Sequence, residues 1–175
     1  MQAVILAAGK GTRMRPLTSK LPKPLLQIGG QRILEHTIDQ LQGIVDEVIL
    51  VVGYRGKVIQ KSFRDNYKGI TITYAWQKEQ LGTGDAAQKA LPYLKGPFLL
   101  LYGDDMYYRH DILEVLKYCP SLLLGKMKNA SQFGVVQTKG KWVKDIVEKP
   151  KNPRSSFVNA GMYFLDPSVF RTKLK

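Results

Sequence analysis

Short, mostly apolar runs, set apart by helix-patterned segments, restrict this chain more than any other feature. Gln2-Ala-Val-Ile-Leu-Ala-Ala8, Glu47-Val-Ile-Leu-Val-Val-Gly53, Ile70-Thr-Ile-Thr-Tyr-Ala75 and Pro97-Phe-Leu-Leu-Leu-Tyr-Gly103 have strand length. They carry few alternating polar positions, so each must be covered on both faces. Between them, residues 33–41 repeat apolar side chains at helical spacing and stop at Gly43. Residues 57–63, 84–91 (ended by Pro92) and 111–117 also read as helices. This order predicts an α/β fold: an open, mostly parallel twisted sheet of Rossmann-like type with helices on both faces. Beyond about residue 120, residues 122–126, 134–138, 142–147 and 157–165 read as strands with little helix between them, a strand-rich section. In such sheets a ligand lies beyond the carboxyl ends of the strands.

Composition narrows the class. The chain has 175 residues, enough to bury a core as one domain. Its longest apolar runs, such as Phe98-Leu-Leu-Leu-Tyr102, fall far short of the roughly 20 residues of a membrane helix. No basic stretch precedes the first apolar run, so no secretory leader is expected. The single cysteine, Cys119, excludes an internal disulfide and a cysteine metal cluster, and points to a reducing, cytoplasmic setting. The formal net charge of +13 is unevenly spread. Residues 1–34 hold six cations and no carboxylate, residues 35–125 are close to neutral, and residues 126–175 are again strongly basic. A basic excess at both ends suggests an anionic ligand held where the ends meet. Nucleic acid would match the sign, but the basic segments lack the interleaved aromatics of a strand-binding platform, so no nucleic-acid or membrane partner is expected.

The loop after the first run, Gly9-Lys-Gly-Thr-Arg-Met-Arg-Pro-Leu-Thr18, sits where a ligand would. Met14 occupies the third glycine position of the dinucleotide fingerprint, and no Gly-Lys-Ser/Thr closes a P-loop. Two glycines still let backbone N–H groups approach an anion, and Arg13 can fork onto its oxygens. A solvated basic loop has the same composition.

Leu6-Ala-Ala-Gly-Lys-Gly-Thr-Arg-Met14, Pro16-Leu-Thr18 and Pro22-Lys-Pro-Leu25 resemble the opening signature of the sugar-1-phosphate nucleotidylyltransferases. Further matches follow in family order: Gln77 with Gln80-Leu-Gly-Thr-Gly84, Tyr102-Gly-Asp104, Phe133-Gly-Val-Val136, Val147-Glu-Lys-Pro150 and Val158-Asn-Ala-Gly161. The likeness covers essentially the whole chain. It implies that a hexose 1-phosphate attacks the α-phosphorus of a nucleoside triphosphate and expels pyrophosphate, with no covalent enzyme intermediate. Such a transfer needs positioning and charge neutralisation more than acid–base groups.

Site residues follow from the same likeness. Arg13 would clamp the β- and γ-phosphates along the backbone of Gly9, Gly11 and Thr12. Lys23, between Pro22 and Pro24, would bridge the α-phosphate and the sugar phosphate. Asp104 would hold Mg²⁺, a hard cation suited to carboxylate and phosphate oxygens. Leu6, Ala7, Ala8 and Gly9 would pack near base and ribose. Gln77, with backbone groups around Gly82, would read the base; an amide offers one donor and one acceptor, which favours UTP or dTTP. On the sugar side, Gly134 would leave room for a hexose, Glu148 would accept from hydroxyls, Lys149 would face the sugar phosphate, and Asn159 would bond a hydroxyl or N-acetyl group. Asp105 is expected to point elsewhere.

Relatives in this family usually continue for some dozens of residues and supply a second metal-binding aspartate, so the sequence is expected to be truncated at its C-terminus. The expected organisation is one domain, 1–175, with 1–120 binding nucleotide and 121–175 binding sugar. Homo-oligomerisation and a following acyltransferase domain stay open. A non-catalytic nucleotide-binding module on the same fold is the alternative reading, and a basic nucleic-acid-binding domain a further one.

Overall fold

The structure, a computed structural model, describes residues 1–171. From β1 (Gln2–Ala7) the chain passes through 3-10 turns at Thr12–Met14, Leu17–Ser19 and Lys23–Leu25, then a small hairpin, β2 (Gln27–Ile28) and β3 (Gln31–Arg32). α1 (Ile33–Gln40), β4 (Glu47–Val52), α2 (Gly56–Phe63), β5 (Asn66–Tyr67), β6 (Ile70–Trp76), α3 (Thr83–Lys89) and β7 (Phe98–Tyr102) come next. α4 (Arg109–Val115) leads to β8 (Ser121–Lys126), β9 (Gly134–Lys139), β10 (Trp142–Glu148) and β11 (Phe157–Leu165). The four apolar runs are β1, β4, β6 and β7, and they form the parallel heart of one sheet in the order β7-β1-β4-β6. Around this heart the added strands are antiparallel: β5 pairs with β6, while β11 pairs with β7, β8 and β9, and β10 with β9. The hairpin β2–β3 and strand β5 have two residues each, too short to leave a periodic signal in the sequence.

The mostly apolar character of the four runs is explained by burial on both sides. Ala3, Ile5, Leu50, Val52, Leu99 and Leu101 pack with α1, α2 and α4 on one face. Val4, Ile49, Val51, Phe98 and Leu100 pack against Ala86, Ala87 and Ala90, in and just after α3, on the other. Right-handed crossovers dictate this split. From β1 through β4 to β6 the chain steps one way across the sheet, so α1 and α2 fall on one face. From β6 it returns past β1 to β7, so α3 falls on the opposite one. No described helix is long and apolar enough to cross a membrane.

Strand β11 joins the two halves of the sheet. Residues Phe157–Asn159 pair with β8, Met162–Leu165 pair with β7, Tyr163 and Phe164 also meet β8 on their other side, and the β8 register shifts between Asn159 and Tyr163. Gly161 takes up the kink at φ 73°, over the ring of Tyr102, where an added Cβ would come within 2.5 Å of a ring carbon. Tyr107 clasps the junction. Its buried hydroxyl accepts from the Tyr102 N–H at 3.1 Å and donates to the Gly161 carbonyl at 3.0 Å. Burial, and then the neighbouring Asp105 carboxylate, push this phenol well above its ordinary range, so it stays a donor. Tyr107→Phe strands a buried N–H and a buried carbonyl together, and is expected to lower the unfolding free energy by about 1–3 kcal/mol in urea titration.

Candidate active site

Strand order reverses between β1 and β7, and in open α/β sheets a ligand crevice lies outside the carboxyl ends at such a point. A cleft of about 370 Å³ opens there. Leu6, Ala7, Ala8, Gly9 and Gly11 line it from β1, Asp104 and Tyr102 from β7, and Gln77 and Gly82 from the segment between β6 and α3. Glycine brings the walls together. Gly103 donates its N–H to the Leu6 carbonyl at 2.9 Å, and a Cβ there would sit 2.8 Å from that oxygen. Asp104 therefore leaves the sheet directly beside β1.

Lys23 reaches the same point by a different route. Pro22 is extended at φ −67°, and the turn Lys23–Leu25 closes with bonds from Leu25 N–H to the Pro22 carbonyl and from Leu26 N–H to the Lys23 carbonyl. Leu25, 2% exposed, is sunk in the core and anchors that turn. The lysine Nζ then lies 2.7 Å from Asp104 Oδ2, with both side chains partly exposed. An ion pair in such surroundings is worth about 0–1 kcal/mol, so it opens readily when a competing anion arrives. Asp105 stands apart: its carbonyl accepts from the Thr37 hydroxyl at 3.2 Å. Crowding by protein, and then the Asp104 charge, raise its carboxyl above the ordinary range, with Lys23 offsetting part.

Gln77 is 4% exposed. Its backbone N–H bonds the Val52 carbonyl at 2.9 Å. Its side-chain nitrogen donates to the Gly82 carbonyl at 3.1 Å and to Asp85 Oδ2 at 2.8 Å. Both amide protons are thus spent inside the protein, which corrects the expectation that the amide offers a base a donor as well as an acceptor.

Thr12 and Arg13, and on the far strands Gly134, Glu148, Lys149 and Asn159, lie outside the cleft lining. Gly11 adopts φ 59° and turns the chain outward into the 3-10 turn Thr12–Met14, pinned by the Thr18 hydroxyl on the Gly11 carbonyl at 2.7 Å. Thr12 and Arg13 consequently project to solvent, and Arg13 makes no ion pair among the described residues. Sequence spacing places Arg13 next to the glycines but cannot show which way the turn points.

Antiparallel pairing gathers the remaining residues. Glu148 ends β10 opposite Gly134 on β9, and a Cβ at 134 would sit 3.2 Å from Glu148 Oε2 and 3.6 Å from the Asn159 Cβ. Lys149, at φ 44°, points back onto Glu148 at 3.2 Å, so these two exposed charges neutralise each other. Asn159 donates to the Tyr163 hydroxyl, which lies 3.5 Å from the Tyr102 hydroxyl, and Tyr102 borders the cleft. Tyr102 and Gln80 are cleft residues to which the sequence assigned no role; Gln80 donates to the Ala8 carbonyl at 2.9 Å. Both lie inside motifs, and a tyrosine ending a buried strand at the sheet's ligand side was the available signal.

The pattern of the nucleotidyl transferase family matches residues 2–175. The chain belongs to that family. A bifunctional protein GlmU of Methanococcus maripaludis is 40% identical over 97% of this chain and 41% of its own length. The UTP–glucose-1-phosphate uridylyltransferase AglF of Haloferax volcanii is 36% identical over 97% of this chain and 74% of its own. A D-glycero-α-D-manno-heptose 1-phosphate guanylyltransferase of Campylobacter jejuni is 35% identical, so relatives at this distance differ in the base they carry. Among solved structures, a Bacillus anthracis protein assigned as a glucose-1-phosphate thymidylyltransferase, solved with sucrose, superposes at TM-score 0.84 over 98% of this chain and 74% of its own, at 25% identity. UDP-glucose pyrophosphorylase with UDP-glucose shares the fold at TM-score 0.85 and 22% identity. The chain spans about 41% of the length of the GlmU relatives.

Gly103→Ala tests the close approach that sets Asp104 beside β1. The added methyl meets backbone on β1, and the expected cost is about 1–3 kcal/mol of unfolding free energy, read by thermal or urea denaturation.

Proposed function

We propose that this chain transfers a nucleotidyl group from a nucleoside triphosphate, UTP or dTTP in preference, to a hexose 1-phosphate and releases pyrophosphate. The observation that carries the reading is the Lys23–Asp104 pair, 2.7 Å apart in the crevice of a nucleotidyl transferase fold. A cation and a hard-oxygen anion meet where the strand order reverses, and the side-chain chain from Tyr102 through Tyr163 to Asn159 runs from there toward Gly134 and Glu148.

In this mechanism a sugar-phosphate oxygen bonds to the α-phosphorus as the bond to the pyrophosphate oxygen breaks, and both charges stay on phosphate. Lys23 exchanges Asp104 for the α-phosphate and the incoming sugar phosphate, reducing the repulsion between the two anions. Amides from Gly9 to Thr12 follow the β- and γ-phosphates, and Arg13 swings in from its exposed turn to fork onto them. Leu6, Ala7 and Ala8 flank base and ribose, while Gln77 and the Gly82 region meet the base edge. Asn159 and Glu148 bond sugar hydroxyls, Gly134 admits the ring beside them, and Lys149 turns to the sugar phosphate. Residues 1–120 thus serve the nucleotide and 121–175 the sugar.

Asp104 also suits Mg²⁺. It offers an exposed hard-oxygen donor at the cleft, and the described residues hold no group of three or more His, Cys, Asp or Glu that could bind a metal alone. That donor set matches an ion that takes one or two carboxylates and completes its shell from phosphate and water. When bound, the ion neutralises developing phosphate charge.

Mixing the full chain with Mg²⁺, each triphosphate and a panel of hexose 1-phosphates, then measuring pyrophosphate, tests the activity. Release is expected with UTP or dTTP; its absence with every pair, alone or within the longer chain that relatives display, sinks the proposal. Lys23→Ala is expected to lower kcat by roughly 10²–10³, the loss typical of one donor to a developing oxyanion. Asp104→Asn is expected to remove the Mg²⁺ dependence of UTP binding in calorimetry.

A further inference from the structure

Asp85 touches no part of the cleft described above, yet it decides how Gln77 faces that cleft. Gln77 is held at three points, two of them on its side-chain amide. Its main-chain N–H is bonded to Val52 on β4, and its side-chain nitrogen spans the Gly82 carbonyl and Asp85 Oδ2. The other Asp85 oxygen pairs with Lys89 at 3.0 Å, one turn along α3. Hydrogen bonding from Gln77, then from Lys89, keeps the Asp85 carboxyl below the usual carboxylate range, so it is an acceptor only. Turning the amide over would set Gln77 Oε1 against a carboxylate and the Gly82 carbonyl, three acceptors without a proton. The observed orientation is the one these neighbours allow. No buried side-chain oxygen or nitrogen among the described residues lacks a partner, and Gln77 Oε1 receives no bond from the protein. That oxygen is therefore open, and the residue borders the cleft.

We propose that Asp85 is a positioning residue that fixes the polarity of base recognition: it commits Gln77 to accept, so the site takes a uracil- or thymine-type base through its ring N3–H. This rests on the nucleotide reading given under Proposed function and sharpens it. Cytosine has the same outline but carries a lone pair at N3, and in the same pose it meets Oε1 acceptor to acceptor. The carbonyls of uracil are equally unable to face that oxygen.

Binding of UTP, CTP and N3-methyl-UTP to the full chain and its variants, by calorimetry, separates the outcomes. The unaltered protein is expected to prefer UTP over both analogues by roughly ten- to a hundredfold, the effect of one unmatched polar contact. Asp85→Asn can accept from Gln77 or donate to it, so both amide orientations become available. The UTP-to-CTP ratio is then expected to fall to within about threefold, mainly through gained CTP affinity. Lys89→Leu removes the ion pair but leaves the acceptor, and is expected to keep the original ratio. If Asp85→Asn weakens UTP and CTP by one common factor, Asp85 is only a prop and the inference is wrong. Loss of the ratio in Lys89→Leu as well assigns it to charge rather than orientation, and likewise overturns it. Should Asp85→Asn not fold, the unaltered protein still decides, because equal affinity for UTP and N3-methyl-UTP refutes the N3–H contact. Failure to bind any triphosphate brings down the nucleotide reading itself, a result distinct from binding without discrimination.

Discussion

A right-handed crossover taken first one way and then the other across a parallel sheet sets the geometry on which everything else in this chain relies. Because β4 and β6 are laid on one side of β1 and β7 on the other, helices are driven to opposite faces and the carboxyl ends of β1 and β7 are left uncovered. The crevice is a consequence of topology and would exist with other side chains. What these particular residues add is closeness: Gly103 against the Leu6 carbonyl, and Gly53 within reach of the Ala8 and Gln77 carbonyls, where any Cβ would collide.

Within that crevice the structure trades stability for readiness. Lys23 and Asp104 hold each other through a partly solvated pair of small net worth. Outside the cleft lining, Glu148 and Lys149 neutralise each other in a second exposed pair at the end of β10. Both pairs are partly solvated and separate at little cost. The uncharged groups are treated differently. Tyr107, Gln77 and Asn159 are bonded from more than one direction and are held by their neighbours.

Tyr102 and Tyr163 connect the parallel half of the sheet to its antiparallel half. Their hydroxyls approach where β11 kinks at Gly161, and burial raises the Tyr163 phenol well above its ordinary range, so it keeps its proton beside Asn159. A ligand group meeting Asn159 and one meeting Tyr102 would share this network. The AglF and heptose 1-phosphate guanylyltransferase relatives are named for different sugars and bases.

Most of the secondary structure was legible in the sequence, because β1, β4 and β7 are almost wholly apolar, β6 keeps apolar residues at every second place, and a parallel sheet buries both faces of its central strands. Motif order likewise brought Lys23, Asp104, Gln77 and the glycines to one end of the sheet. Orientation was not legible. Gly11 turns the chain outward, leaving Thr12 and Arg13 in solvent, and no local pattern records that direction. The partners of an amide are hidden as well: Gln77 and Asp85 stand eight residues apart, and only the bend at Gly82, φ 98°, sets one against the other. Apolar runs and glycine placement are written locally, in residues that answer to their own backbone. Hydrogen-bond polarity depends on which distant groups exhaust a donor first, and that is decided only when the chain has closed on itself.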